Sequence, residues 1–176
     1  ASYLGTLFQR HTPVIMLRGQ QKHSNLAVEI CWKATLVNRS AGGFYMDYEY
    51  QRRNEEASGP DFLSKRKISV YQNISQTPQK LTLHSFSAGA DPLPELLSTD
   101  VEVPYAADYC YVAKHPGLTD GSSFCSLWAS ENPREGFLET CKSFYTSSCL
   151  GKGETDYKPL SDVCGYKVPD PLTSSE

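Results

Sequence analysis

The 176-residue sequence contains no long hydrophobic run. Its longest aliphatic stretch is Val14-Ile15-Met16-Leu17, far below the roughly 20 apolar residues that a helix needs to cross a bilayer. It is also too short for the apolar core of an export signal, so the chain reads as a mature protein without a membrane span. A basic excess is missing too: 17 Lys and Arg stand against 20 Asp and Glu, a formal net charge of -3. Nucleic acid and anionic membranes are therefore poor candidate partners. His11, His23, His84 and His115 show no His-x-x-x-His spacing and no Glu-adjacent pairing. Each reads as a surface or loop histidine, and no metal site is expected. The sequence has no Gly-x-Ser-x-Gly, phosphate loop or dinucleotide fingerprint, and Ser122-Ser123 falls in a Gly-Ser turn, so an enzyme is not expected. Glu55-Glu56 beside Arg52-Arg53 reads as a solvated mixed-charge link, and Lys65-Arg66-Lys67 as a solvated strand flank.

What is present is an even set of six cysteines, Cys31, Cys110, Cys125, Cys141, Cys149 and Cys164, with no Cys-x-x-Cys pair. Two glycosylation acceptors accompany them, Asn38 (Asn38-Arg39-Ser40) and Asn73 (Asn73-Ile74-Ser75). Together they predict a secreted, extracellular, disulfide-bonded glycoprotein. Cysteine number alone leaves fifteen pairings open.

In chain order, Tyr3, Leu4, Leu7 and Phe8 predict one short helical face over Ser2 to Gln9, stopped by Thr12-Pro13. Val14 to Arg18 and Leu26 to Val37 predict strands. In the second, Trp32, Ala34 and Leu36 alternate with Cys31, Lys33 and Thr35, so that Trp32 faces inward if Cys31 faces outward. The clearest alternation is Phe44 to Gln51, which places Phe44, Met46, Tyr48 and Tyr50 on one face. Short strands follow at Ile68 to Tyr71, Leu81 to His84, Val101 to Val103, Ala107 to Ala113 and Phe124 to Ala129. Asn132 as cap, Pro133 in the first turn and Glu135 three residues on then predict a helix start. Phe137, Leu138, Cys141, Phe144 and Tyr145 give that helix one sheet-packing face.

About eight short strands joined by hairpin-length links predict an all-β fold, an antiparallel up-and-down barrel or a sandwich, with a C-terminal helix on its outside. One domain spans residues 1 to 176, and residues 165 to 176 read as a weakly ordered tail.

The run Cys110-x-Val112, Cys125-x-Leu127-Trp128, Cys141-x-x-Phe144, Cys149, Tyr157, Cys164 resembles the salivary lipocalins of ticks, the family that includes the histamine-binding proteins. The resemblance is close over the last third of the chain and extends to the rest only through strand order. It implies an eight-stranded antiparallel lipocalin barrel, a short N-terminal helix and a disulfide-tethered C-terminal helix. It also implies the pairs Cys31–Cys164 and Cys110–Cys141, which leaves Cys125–Cys149. Amine binders of the family place acids just before the Leu-Trp pair, just after the strand cysteine and near a third position. Here Ser126, Tyr111 and Val101 stand at those places, which argues against histamine.

The expected barrel lining is Trp32, Phe44, Met46, Tyr48, Tyr50, Ile68, Val70, Leu81, Leu83, Val101, Val103, Tyr111, Ser126 and Trp128. Such a wall suits a small neutral hydrophobic ligand, a sterol such as cholesterol, rather than an amine. Within the tick family the pattern looks most like the japanin group, whose members carry cholesterol and act on dendritic cells. The function implied is a secreted lipid-binding carrier that modulates host immunity. The alternatives are a scavenger of histamine, serotonin or a leukotriene, and a protein-binding module. In the latter, Arg52 to Pro60 and Ser85 to Thr99, with Leu93, Leu96 and Leu97, would grip a host immune-cell receptor or other protein. On the carrier reading, Tyr48→Arg is expected to abolish loading and leave the fold intact.

Overall fold

The computed structural model describes residues 3–10, 13–20, 29–53, 63–98, 100–116, 123–131, 136, 138–149, 156–157 and 164. A short helix α1 (Tyr3–Arg10) is followed by β1 (Val14–Gln20), β2 (Glu29–Ser40), β3 (Gly43–Arg53), β4 (Leu63–Gln76) and β5 (Leu81–Ser87). A 3-10 turn (Glu95–Leu97) precedes β6 (Val101–Ala106), β7 (Cys110–His115), β8 (Phe124–Ser130), α2 (Glu139–Ser148) and a two-residue β9 (Asp156–Tyr157). Consecutive strands pair antiparallel from β2 to β8, and β1 closes the sheet by pairing with both β8 and β2. The first two residues of β1 reach β2, Val14 opposite Ala34 and Ile15 opposite Lys33. Its last two lie against β9, Gly19 opposite Tyr157 and Gln20 opposite Asp156. The result is the expected eight-stranded barrel, which leaves no open edge among its eight staves.

Two apolar layers follow from this closure. The inner one collects Ile30, Trp32, Ala34 and Leu36 of β2 and Phe44, Met46, Tyr48 and Tyr50 of β3 with Val14, Met16, Val70, Leu83, Tyr111 and Trp128. The outer one places Ile15, Leu17, Val112, Leu127 and Ala129 against Cys141 and Tyr145 of α2. All seven residues of β8 are buried, because one face lines the barrel and the other lies under the helix. The bonds Cys110–Cys141 and Cys125–Cys149 hold α2 there, and Cys31–Cys164 ties the C-terminal segment to β2. This is the pairing the family resemblance implied. Gln20 adds a polar tie: its amide donates to the Cys149 carbonyl at 2.6 Å and accepts from the Cys125 amide at 2.7 Å.

α1 plugs one end. Leu4, Leu7 and Phe8 are fully buried, and Phe8 meets Phe44 and Tyr111 edge-on at 5.7 and 6.0 Å. The same end carries the β2–β3, β4–β5 and β6–β7 turns. The opposite end is where β2 and β4 begin, β3 and β7 finish, and the 3-10 turn buries Leu96 and Leu97.

Two expectations need correction. The alternation in β2 breaks at Cys31, which has φ 61° and sits where the register with β3 slips between Ile30 and Lys33. The bulge interrupts the alternation without exposing either residue: Trp32 stacks on Tyr50 inside the barrel, as expected, and Cys31 is buried at its bond to Cys164. The C-terminal helix also begins later than predicted. Asn132, Pro133 and Glu135 lie outside the described residues, Gly136 has φ 82°, a left-handed value that no right-handed helix contains, and the helix starts at Glu139 after Leu138. The predicted tail, residues 165 to 176, and the link at Glu55-Glu56 also lie outside the described residues.

Gly43 opens β3 at a place where a side chain has no room. A Cβ there would press on the Gln72 carbonyl oxygen and lie 2.9 Å from the Tyr71 ring. Gly43→Ala is therefore expected to destabilise the protein by about 1 to 3 kcal/mol, measured by urea unfolding. Gly89→Ala, where a Cβ meets nothing within 4 Å, should be near neutral.

Candidate functional site

The barrel interior brings the fourteen predicted lining residues to one place. Trp32, Phe44, Met46, Tyr48, Ile68, Val70, Leu83, Val101, Val103, Tyr111 and Trp128 belong to a single buried cluster, against which Tyr50 and Leu81 pack half-buried. Ser126 is buried on the same face, opposite Ala113. Aromatic rings dominate this wall. Trp128 lies parallel to Tyr111 at 6.1 Å and edge-on to Tyr48 at 6.2 Å, while Trp32 stacks on Tyr50 at 4.3 Å. Leu96 and Leu97 join the same cluster, with Leu93 packed against it, so this apolar group faces the barrel rather than a partner. Of the other proposed gripping loop, residues 54–60 lie outside the described residues.

Polar groups inside this wall are few, and the sequence reading missed most of them. Tyr48 donates its hydroxyl proton to Gln72 Oε1 at 2.8 Å, and Gln72 Nε2 donates to Ser85 Oγ at 2.9 Å, a chain across β3, β4 and β5. Trp128 Nε1 donates to Ser126 Oγ at 2.8 Å, and that oxygen lies 2.7 Å from His115 Nε2. His115, expected at the surface, is only 4% exposed and stacks on Phe124. Gln72, Ser85 and His115 each lie one or two residues beyond the predicted strand ends at Tyr71, His84 and Ala113. Extending the period of two would have found them, but a polar residue at an inward position reads as a strand end. His84, by contrast, is half-buried and its Nδ1 lies 2.9 Å from Asp100. His11 and His23 lie outside the described residues.

Burial controls the titration of these groups. It pushes the Tyr111 and Tyr48 hydroxyls above the ordinary phenol range, the Gln72 hydrogen bond partly opposing this for Tyr48. At the open end, Glu29 is 8% exposed with Oε2 lacking a hydrogen-bond partner. Burial raises its pKa first, Arg52 opposes this, and Glu95 adds to it. Burial likewise raises Tyr50, helped by the charge of Glu29. The Tyr48→Arg expectation therefore changes: Tyr48 is 1% exposed, so an arginine there buries a charge and destabilises the fold as well as the site.

Burial pushes His115 down to about 4 from 6.5, partly offset by the Leu96 backbone. Between those values the unfolded chain holds a proton that the folded one lacks. Stability from this group is therefore full above pH 6.5 and falls as pH drops toward 4. About 2 kcal/mol should be lost between pH 7 and pH 5, at 1.36 kcal/mol per pKa unit. Glu29, whose folded pKa is raised, acts in the opposite sense. Urea unfolding of the native protein and a His115→Asn variant at the two pH values isolates the histidine part. An equal pH dependence in both would contradict the buried neutral ring.

Among the described residues no group of three or more His, Cys, Asp or Glu side chains is placed to hold a metal ion, and no helix is long and apolar enough to cross a membrane. The acceptor Asn38 is exposed near the end of β2, and Asn73 is half-buried in β4.

No protein-family model and no curated protein matches this chain in sequence. Among solved structures it is similar to japanin from Rhipicephalus appendiculatus bound to cholesterol, with a TM-score of 0.63 and 14% sequence identity. The match covers 88% of this chain and 96% of that one. At this identity the likeness establishes the fold alone, a lipocalin barrel.

Proposed function

We propose that this lipocalin is a secreted carrier that sequesters a small hydrophobic molecule, a sterol such as cholesterol in the first instance, and thereby modulates host immunity or inflammation. The observation that carries the reading is the inner wall, where aromatic and aliphatic side chains from all eight strands converge and the Leu96-Leu97 turn covers the open end. Burying about 400 to 500 Å² of a sterol would contribute roughly 10 to 12 kcal/mol gross at ~25 cal/mol per Å², before the cost of immobilising the ligand. Cholesterol in the japanin structure supports the choice of ligand class. Ser126, Tyr111 and Val101, where amine binders carry acids, are all buried in this wall and none is anionic. Three disulfides fit an oxidising extracellular compartment. Exposed Asn38 is the more accessible glycan acceptor. The partner this reading requires is the small hydrophobic ligand; a host immune-cell receptor or protein is an additional candidate, and nucleic acid is not one.

A second reading, capture of a biogenic amine, is favoured by one observation. Glu29 Oε2 is buried without a hydrogen-bond partner, and the Glu29 carboxylate bears electrostatically on Tyr50, which stacks on Trp32. Native mass spectrometry of the purified protein, with extraction and identification of what co-purifies, separates the two. A stoichiometric sterol or lipid is expected. Protein that refuses sterols and fatty acids but binds histamine or serotonin in a Glu29-dependent way would replace the first reading with the second.

A further inference from the structure

The polar cluster of β7 and β8, His115 with Ser126 and Trp128, lies toward the open end of the barrel, beside the turn that carries Leu96. The β7–β8 register places Tyr111 opposite Trp128, Ala113 opposite Ser126 and His115 opposite Phe124, so alternate residues of both strands point inward together. The Phe124 ring, 4.7 Å away and within 14° of parallel, fixes the plane of His115.

Hydrogen-bond accounting then fixes the tautomer. Ser126 Oγ already accepts from Trp128 Nε1, and its one proton needs an acceptor. His115 Nε2 lies 2.7 Å away. If Nε2 carried the ring proton, the serine proton would be stranded in a buried site without an acceptor, which is unfavourable. The arrangement that satisfies all three groups has Ser126 donating to Nε2 and the ring proton on Nδ1. That nitrogen is buried and makes no side-chain hydrogen bond; the Leu96 backbone, on the turn over the open end, is the one polar group that acts on the ring there. His115 thus presents a preoriented N–H at the turn that covers the barrel, where a ligand oxygen would compete only with the Leu96 backbone.

We propose that His115 Nδ1 is the head-group site of the barrel and donates a hydrogen bond to a neutral oxygen, hydroxyl or carbonyl, at one end of an otherwise apolar ligand. This rests on the carrier reading and narrows it to neutral amphiphiles. An uncharged imidazole has no net charge to hold a carboxylate, and it contributes nothing to holding an ammonium, for which Glu29 is the relevant group.

Equilibrium binding of three probes tests this: cholesterol, its 3-keto analogue cholestenone, and cholestene, which lacks the oxygen. The native protein should hold the alcohol and the ketone at least about tenfold tighter than the hydrocarbon. His115→Leu should abolish that preference while leaving cholestene affinity unchanged. His115→Asn, whose amide can stand near the Nδ1 position, should restore part of it. Glu29→Gln should leave it intact. A preference that survives in a folded His115→Leu protein, or equal binding of all three probes by the native protein, overturns the head-group assignment alone. Failure of the native protein to bind any of the three overturns the carrier reading and this assignment with it. Ring ¹⁵N shifts of the native protein give a second readout that needs no variant. They should report the Nδ1–H tautomer and move on addition of cholesterol but not of cholestene; the opposite tautomer would overturn the proposal.

Discussion

Replacing both Cys31 and Cys164 by alanine is expected to lower the unfolding free energy by about 4 to 5 kcal/mol, the largest loss among the three disulfides. The bond joins residues 133 apart in sequence, against 31 for Cys110–Cys141 and 24 for Cys125–Cys149. In the chain-entropy account the constraint on the unfolded state grows with the logarithm of the closed loop, which gives about 5 kcal/mol for the first and about 3.5 for the others. The shorter bonds lie inside the long loop and shorten its free path, so the lower part of the range applies if they remain. A second comparison probes the backbone. Cys31 has φ 61°, a conformation that glycine adopts without strain and that costs any residue with a Cβ, alanine as much as cysteine, about 1 kcal/mol. The Cys31→Gly, Cys164→Ala protein should therefore be about 1 kcal/mol more stable than the double-alanine protein. Chemical denaturation of the three proteins measures both effects. A loss below about 1 kcal/mol would mean that the C-terminal segment is held by its other contacts rather than by this bond.

Trp128→Ala is expected to cost about 3 to 5 kcal/mol, the range for emptying a large aromatic site, and to remove ligand loading with it. Trp128 stands between Tyr48 and Tyr111, faces Met16 across the β1–β8 pairing, and gives its Nε1 proton to Ser126. Its loss leaves the Ser126 oxygen short of a donor, removes the indole from beside Tyr48, and leaves Tyr111 with only its edge-on contact to Phe8. Trp128→Phe keeps an aromatic ring and loses the hydrogen bond with part of the ring volume, so a smaller cost, about 1 to 2 kcal/mol, is expected. Similar costs for the two variants would show that the indole N–H, and not the ring packing, supplies most of the effect. Urea unfolding and sterol uptake, measured on the same samples, distinguish a site that is lost from a fold that is lost.

The apolar alternations were decisive where they were long. Phe44, Met46, Tyr48 and Tyr50 could only line one face of a strand; periodicity left a barrel or a sandwich to give such faces a shared interior, and the family resemblance implied the barrel that the structure shows. The amphipathic spacing of Leu138, Cys141, Phe144 and Tyr145 likewise put one helix on the outer wall, where all four now pack. These features were legible because they depend on local periodicity, which the backbone geometry of a strand or helix imposes on any sequence. The disulfide pairs were legible only through resemblance, since spacing left fifteen arrangements open.

What the tertiary structure alone decided is the polar part of the site and the places where periodicity breaks. β4 runs from Leu63 to Gln76, far beyond Ile68 to Tyr71, and β5 and β7 extend past His84 and Ala113, because barrel closure gives the backbone of these polar stretches partners. Gln72, Ser85 and His115 can then be inward because Tyr48 and Ser126, distant in sequence, reach them with hydrogen bonds. Burying a polar group is costly unless such a partner exists, and a partner on another strand leaves no mark in the local pattern. The bulge at Cys31 has the same origin, since the register of β2 against β3 and the bond to Cys164 are set by chain segments far away. The sequence by itself determined which residues are apolar enough to build the wall; the closed barrel determined which polar residues stand inside it.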